Sequence, residues 1–291
     1  MQVSIVITTK NRLDDLVRTC QILRRMDPPP LDVIITADGC TDRTVEMLRD
    51  EILNADIPNL RVIVNETSKG SVASRERMMR EAQGGLVLAL DDDSYPEQVD
   101  CLATLSRHFE INPQVAIATF PQRTDEYPAT LTMADFGAAH LVRSFANSGA
   151  CLRVSTYRSL QGFEPMFFHM YEEPDYALQC VANGWEVHYL PGITIRHHYS
   201  GAARSELLNH HRHARNEFWS TLMRCPFPQA FGFLAYRIFS QARFAAGRGP
   251  GWLLREPVWW WQAVKGIPTA LKRRVPVTWH GYRRWLSLPS R

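Results

Sequence analysis

No Gly-x-Gly-x-x-Gly follows the first apolar strand of this chain, and the loop that does follow it, Thr8-Thr9-Lys10-Asn11-Arg12, contains no glycine. A dinucleotide needs glycines there for a tight turn and for close approach of its pyrophosphate, so a dinucleotide-dependent dehydrogenase is disfavoured. The same gap counts against nucleotidyl transfer, which calls for a glycine-rich basic phosphate loop near the first strand. The six cysteines, Cys20, Cys40, Cys101, Cys151, Cys180 and Cys225, are scattered without a Cys-x-x-Cys pair, and reduced thiols in the cytosol are expected. The first strand, Val3 to Ile7, is too short and lacks the flanks of a secretory signal, so none is expected. The longest charge-free stretch of the last third, Cys225 to Tyr236, is broken by Pro226 and Pro228 and is too short to span a bilayer. Repeats and low-complexity linkers are absent as well.

Acids are also scarce in one place. From residue 201 onward there are 15 Lys and Arg against 3 Asp and Glu, whereas the first 200 residues hold 18 against 27. The net charge of +3 conceals this asymmetry. Seven of the eight tryptophans lie in the basic part. A basic, tryptophan-rich tail on an acidic body suits an anionic membrane surface better than nucleic acid. A helical extension packed on the body, with tryptophan as core, accounts for the same composition.

What is present fits a folded chain of 291 residues: 45% hydrophobic and 22% charged, enough for one large domain or a domain with an extension. Strand and helix periods alternate through the first hundred residues. Val3–Ile7, Leu31–Thr36, Arg61–Asn65 and Leu86–Leu90 read as strands. Leu13, Leu16, Val17, Cys20 and Leu23, then Val45, Leu48 and Ile52, then Val72 to Ala82, read as helices. Such alternation predicts a mostly parallel α/β sheet with flanking helices, and ligands on such sheets bind at the carboxyl ends of the strands. The polar clusters fall at those ends. Further on, a helix is predicted to about His108, strands over Val115–Phe120 and Gly149–Ser155, a helix over Pro174–Asn183 and a strand over Trp185–Leu190. Residues 121–148 show no clear period.

The most informative cluster is Asp91-Asp92-Asp93, at the end of the apolar run Leu86–Leu90. Crowded carboxylates cost electrostatic energy unless a cation or strong donors relieve them, and oxygen-rich sites suit a hard divalent ion that also holds a diphosphate. The alternative is that these acids cap the next helix, with Pro96 near its first turn.

Several ordered motifs together resemble the inverting family 2 glycosyltransferases of the GT-A (Rossmann-like) fold, over roughly residues 1–200. Val3 to Arg12 is similar to the opening strand and loop of that family, and Ala37-Asp38-Gly39-Cys40-Thr41-Asp42 to its Asp-Asp-Gly-Ser-Thr-Asp turn. Gly70 and Arg75 match its Gly and Ala-Arg-Asn segment, and Asp91-Asp92-Asp93 its Asp-x-Asp motif. Gly162-Phe163-Glu164 through Glu172-Glu173-Pro174-Asp175 resembles its Gly-Phe-Asp-Glu to Glu-Asp segment, and Pro191 to His197 its closing Pro and His. The resemblance implies metal-dependent transfer from a nucleotide-sugar with inversion, using Mn²⁺ or Mg²⁺. It implies Asp93 and Asp91 as metal ligands, with His197 completing the metal or diphosphate site and His198 as its neighbour if the register slips. It implies Glu173 as the base that activates an acceptor hydroxyl, with Glu172 and Asp175 as close alternatives; acids at a helix N-terminus are also favoured by the dipole alone. Thr8, Arg12, Asp38, Arg75, Asp91 and Asp92 are the expected nucleotide-sugar contacts. Two positions depart from the family pattern: Glu173 stands where it has Asp, and Ala37 where it often has an acid.

The tail, residues 201–291, is expected to be a basic helical extension separate from a 1–200 catalytic domain. Trp259, Ala263, Ile267 and Leu271 fall on one helical face, with Pro268 kinking or ending the helix, and this face is a candidate for an anionic membrane. His210-His211-Arg212-His213 reads as a solvated helix face. The expected location is cytoplasmic, with the tail at the inner face of the cell membrane, and the acceptor a glycan or lipid-linked saccharide. A non-catalytic nucleotide-sugar-binding or scaffold member of the fold is the rival reading.

Overall fold

The computed structural model describes residues 1–49, 57, 59–133, 137–199 and 205–290. Four strands, β1 (Val3–Thr9), β2 (Val33–Asp38), β3 (Leu60–Asn65) and β4 (Leu86–Asp91), form the parallel half of an eight-stranded sheet. They alternate with helices α1 (Leu13–Leu23), α2 (Thr44–Arg49) and α3 (Ser71–Glu81). Each falls where the hydrophobic period predicts it, though Ile52 of the second helical pattern lies outside the described residues. The spatial order is β3-β2-β1-β4. The chain therefore steps outward from β1 on one side and returns on the other, which opens a crevice at the carboxyl ends of β1 and β4.

A short strand β5 (Ser94–Pro96) follows the acids, then α4 (Cys101–Ile111), β6 (Val115–Thr119) and β7 (Gln122–Thr124). Pro96 thus lies in a strand and the next helix starts five residues later, so the acids are not its cap. The irregular stretch before residue 149 contains a 3-10 turn and the two-residue β8 (His140–Leu141). β9 (Ala150–Arg153), α5 (Val154–Ser159), α6 (Glu172–Ala182), β10 (Glu186–Tyr189) and β11 (Ile195–His197) complete the first two hundred residues. β9 inserts antiparallel between β4 and β6, and β8 pairs antiparallel with β10. The other four pairings of the large sheet are parallel. β5, β11 and β7 form a second, three-stranded sheet in the order β5-β11-β7, which begins three residues beyond the end of β4.

The period of two along the strands divides the core. Ile5, Ile7, Leu86, Leu88 and Leu90 join Leu16, Cys20, Leu102, Leu105 and Phe109 on one face. Val6, Ile34, Val87 and Ala89 join Val72, Met78, Tyr176 and Cys180 on the other.

The tail forms α7 (Glu206–Arg224), α8 (Gln229–Arg248), α9 (Pro250–Leu253), α10 (Glu256–Lys272) and α11 (Trp279–Ser287). The charge shift near residue 200 does not coincide with a break in packing. Trp219, Leu222, Met223, Ala230, Ala270, Tyr282 and Trp285 belong to the same hydrophobic cluster as Val6 and Val87. Trp285 Nε1 donates to the Arg143 carbonyl at 2.8 Å, and Arg143 N to that of Pro289 at 2.8 Å. Pro268 lies inside α10 rather than ending it. The helical face carrying Trp259 and Ala263 is buried, contrary to its expected exposure to a membrane. It packs on α7, where Trp219 Nε1 donates to the Ala263 carbonyl at 2.9 Å. At Gly266 a Cβ would lie 2.2 Å from the Trp219 ring, so only glycine permits this approach.

Candidate active site

A cleft of about 1410 Å³ opens at the carboxyl ends of β1 and β4. It is lined by Thr8, Arg12, Asp38, Arg75, Asp91, Asp92, Glu172 and Glu173, so eight of the residues singled out in the sequence converge there.

Sheet register builds its acidic corner. β4 ends at Asp91, the chain turns through Asp92 and Asp93, and β5 pairs antiparallel with β11 so that Ser94 lies opposite His197. His198 N donates to the Asp93 carbonyl at 2.8 Å, which fixes the two segments. His197 Nε2 consequently lies 3.3 Å from Asp93 Oδ1. Asp91, Asp93 and His197 each offer a ligand atom, and these atoms lie within 4.8 Å of one another. His198 instead bonds Tyr95 Oη at 2.9 Å, so the register favours His197.

Two arginines hold these acids. Arg12 donates to Asp92 Oδ1 at 3.0 Å and to Asp93 Oδ2 at 2.7 Å. Arg75, buried on α3, pairs with Asp91 and reaches Glu172 Oε1 at 3.5 Å. Burial alone would raise Asp93, but the hydrogen bond and charge of His197 and the charge of Arg12 outweigh it, and its carboxyl is held below the usual range. Asp92 has the opposite outcome. Its burial dominates the attraction of Arg12, the charges of Asp93 and Asp91 add to it, and it is pushed up to about 7.

Two carboxylates and an imidazole are a donor set that manganese or magnesium accepts. Asp93 Oδ1 is buried with His197 Nε2 3.3 Å away, so a cation placed between them would meet two of the three ligand atoms.

Asp38 is committed to the protein itself. Its carboxylate accepts from Asn65 Nδ2 at 2.8 Å, Ser68 Oγ at 2.7 Å, and the backbone N–H groups of Lys69 and Gly70, each at 2.9 Å. Burial opposes the charge, yet these donors hold Asp38 below its ordinary value. It shapes the loop that leads into α3. Ala37, where the family pattern often has an acid, is fully buried in the core.

The second acidic group stands at the start of α6. Glu172 is buried and accepts from Asn147 Nδ2 at 3.1 Å. Glu173 is partly exposed to the cleft, and its Oε1 accepts a long bond, 3.4 Å, from the Asn147 N–H. Burial, then the neighbouring Glu172 charge, push Glu173 up to about 8. Asp175 does not reach this site. It is buried in an ion pair with Arg224, Nε to Oδ1 3.1 Å and Nη2 to Oδ2 3.1 Å, and also accepts from Ser220 Oγ at 2.7 Å and Gln179 Nε2 at 2.8 Å. It joins α6 to α7 and is no alternative base.

The loop before α6 carries unusual backbone. Phe168, Met170 and Tyr171 have φ of 66°, 74° and 72°, a region that costs non-glycine residues about 1–3 kcal/mol each. Asn216 on α7, fully buried, donates Nδ2 to the carbonyls of Phe167, His169 and Met170 at 3.0, 2.9 and 2.8 Å. From the other side the loop is pressed against α3: a Cβ at position 70 would lie 2.2 Å from the Phe168 carbonyl oxygen, which explains the glycine there.

Sequence reasoning missed Asn147 and the contribution of α7. Asn209, Arg212 and His213 line the same cleft. His210 and His211 are buried, and His210 Nε2 bonds Glu256 Oε1 at 2.7 Å, so this run is not a solvated face. A signal was available: Asn209, Arg212, His213 and Asn216 recur at i, i+3, i+4 and i+7, a single polar helical stripe.

Two family models match the chain: Glycosyl transferase family 2 over residues 4–147, and Glycosyl transferase family group 2 over residues 86–279, more than half of the sequence. The uncharacterized glycosyltransferase YwdF of Bacillus subtilis (strain 168) is 23% identical over 214 residues, 71% of this chain and 77% of that protein. Among solved structures, GalNAc-T7 with UDP, GalNAc and Mn²⁺ superposes with a TM-score of 0.65 at 12% identity. The match covers 80% of this chain and 49% of that one, so the chain spans about half its length. The mannosyltransferase PcManGT from Pyrobaculum calidifontis in complex with GDP-Man and Mn²⁺ gives a TM-score of 0.61 at 16% identity, covering 98% and 86%. At these identities the superpositions establish the fold, which is GT-A.

Proposed function

The chain belongs to glycosyl transferase family group 2, whose members take sugar from a nucleotide-sugar donor, and from that premise we propose transfer with inversion to a hydroxyl of a glycan or lipid-linked saccharide. The observation that carries this reading is the trio Asp91, Asp93 and His197, of which Asp91 lines the cleft, together with Glu173, a carboxylate on the wall of the same cleft that accepts a long 3.4 Å bond from the Asn147 N–H.

Asp91, Asp93 and His197 would hold Mn²⁺ or Mg²⁺. Such an ion supplies Lewis-acid stabilisation of the charge on a departing diphosphate. Arg12 keeps Asp92 and Asp93 in place, and Arg75 keeps Asp91 and Glu172 in place. Thr8 and the loop organised by Asp38 border the nucleotide end of the cleft. Glu173 takes the proton of the acceptor hydroxyl at a carboxylate oxygen. The hydroxyl oxygen then bonds the anomeric carbon as that carbon's bond to the diphosphate oxygen breaks, and the nucleoside diphosphate leaves with the electron pair. A single displacement of this kind inverts the anomeric configuration. A positioned base contributes about 10²–10⁴-fold to rate, and a raised pKa makes Glu173 a stronger proton acceptor once it is ionised. Glu is one methylene longer than the family's Asp, and the hydrogen bond from Asn147 N–H restrains the added reach. The protein would work at the inner face of the cell membrane, where a lipid-carried acceptor resides.

Thermal-shift measurement against UDP-, GDP- and dTDP-sugars, with and without Mn²⁺, tests this reading. One donor should stabilise the protein in an ion-dependent way, by about 2.7 kcal/mol at a hundredfold excess over its Kd. Absence of ion-dependent stabilisation by every donor overturns it.

A further inference from the structure

The outward surface of the tail carries almost no negative charge. Beyond Glu217 the sequence has a single acid, Glu256. That residue is fully buried, accepting from Trp259 Nε1 at 2.8 Å and bonded to His210 at 2.7 Å. Arg243, Arg248, Arg255, Lys265 and Lys272 are all exposed.

Helices α9 and α10 run almost without a break, because Leu254 (φ −63°, ψ −18°) and Arg255 (φ −96°, ψ −6°) stay close to helical backbone. The inner side of this rod, Trp259, Ala263 and Ala270, is buried. The outer side of a surface helix is ordinarily polar. Here it presents Leu254 (80% exposed), Val258 (50%), Trp261 (60%), Val264 (53%) and Leu271 (45%). At 3.6 residues per turn these fall on one side, with Lys265 and Lys272 among them. The Lys265 ammonium lies 4.9 Å from the centre of the Trp261 ring. No described helix is long and apolar enough to cross a membrane.

We propose that the outer face of residues 250–272 docks on an anionic lipid bilayer, with the aliphatic and tryptophan side chains in the headgroup boundary and the cations at lipid phosphates. Interfacial helices bind through this combination of buried apolar area and basic charge. A second copy of the chain is the poorer occupant, because it would bring two acid-free basic faces together. The proposal rests on the proposed function for the acceptor that gives docking a purpose; the surface itself requires no sugar chemistry. Docking would also bring the α7 end of the cleft near the bilayer. His210 stacks on Phe244, with ring centroids 5.2 Å apart, and lies 5.6 Å from Trp252, while Arg212 and His213 just beyond it line the cleft.

Flotation of the full-length protein with vesicles tests this. Vesicles of phosphatidylcholine mixed with phosphatidylglycerol should carry the protein at least about tenfold better than phosphatidylcholine alone, and high salt should release it. The combined variant Val258→Ser, Trp261→Ser, Val264→Ser should lose about tenfold in partitioning. Lys265→Gln with Lys272→Gln should lose about thirtyfold, at about 1 kcal/mol for each cation. Ile111→Ser, an exposed apolar site on the body, should float like the wild type. Failure of the wild type to float with the anionic vesicles, wild-type flotation by the triple variant, or a dimer on sizing that the triple variant splits would each overturn the proposal. Mn²⁺-dependent stabilisation by a nucleotide-sugar is measured on the same variants and should be unchanged. If donor stabilisation is missing while flotation succeeds, the enzymatic reading falls and the docking face stands.

Discussion

Asp91-Asp92-Asp93 and Glu172-Glu173-Pro174-Asp175 line or flank the same cleft, yet the fold distributes cations to them unequally. The first group receives Arg12 on two of its members, Arg75 on the third, and His197 beside Asp93. In the second, Arg224 takes Asp175 and Arg75 extends to Glu172, whereas Glu173 has the charge of Arg75 without an ion pair to it among the described residues and a long backbone hydrogen bond from Asn147. The result is a carboxylate held ionised at Asp93 and one whose proton is retained to about 8 at Glu173. Acids clustered in sequence thus acquire different chemistry from their burial and their cationic neighbours: His197 and Arg12 outweigh burial at Asp93, whereas burial outweighs Arg12 at Asp92. Charge that stays fixed suits a ligand to a cation, and charge that can be gained or lost suits a proton acceptor.

The hardest test of this contrast is Asp93→Ala. Turnover should disappear, with ion-dependent donor stabilisation lost and the far-UV circular dichroism retained; substantial residual turnover would remove Asp93 from the ion's ligand set. Next in size, Glu173→Gln should keep donor binding and lower transfer by about 10²–10⁴-fold. That substitution has a second readout. A carboxyl whose folded pKa is raised contributes stability that is complete below its unfolded value and is lost as pH rises through the folded value, here about 8. The loss amounts to about 1.4 kcal/mol for every tenfold difference in proton affinity between the folded and unfolded chain. Glu173→Gln should therefore flatten the decline in melting temperature between about pH 5 and 8. Asp175→Ala strands the buried Arg224 and should cost about 3–5 kcal/mol of stability in denaturant melts. If it abolished transfer without destabilising the protein, the division of roles within this group would be wrong. The smallest effect is expected from Glu172→Gln. Removing the charge beside Glu173 lowers the pKa of Glu173, so the alkaline-rising limb of the transfer profile should move toward acid by about one pH unit. An unmoved limb would mean that another group titrates there.

Much of the fold was legible because its determinants are local. The strands of the parallel half and the helices between them are marked by apolar periods, and the acids, Arg12 and Glu173 fall at strand or helix ends where a doubly wound sheet gathers its ligands. The rest depended on partners distant in sequence. Asp175 cannot be told from a catalytic acid until Arg224 is seen beside it. The Trp259, Ala263, Ile267 stripe has the same period whether it meets lipid or protein, and Trp219 decides the matter from another helix. Asn147 sits in a stretch with no period, and the left-handed residues Phe168, Met170 and Tyr171 have no glycine to announce them.

Asn216 has a consequence for modularity. One buried amide from the tail fastens the segment that presents Glu172 and Glu173, while neighbouring turns of the same helix supply wall residues and core. A chimera joined near residue 200 would therefore exchange part of its reaction chamber along with its appendage. A splice that respects the molecule's own seams would have to carry α7 with the body.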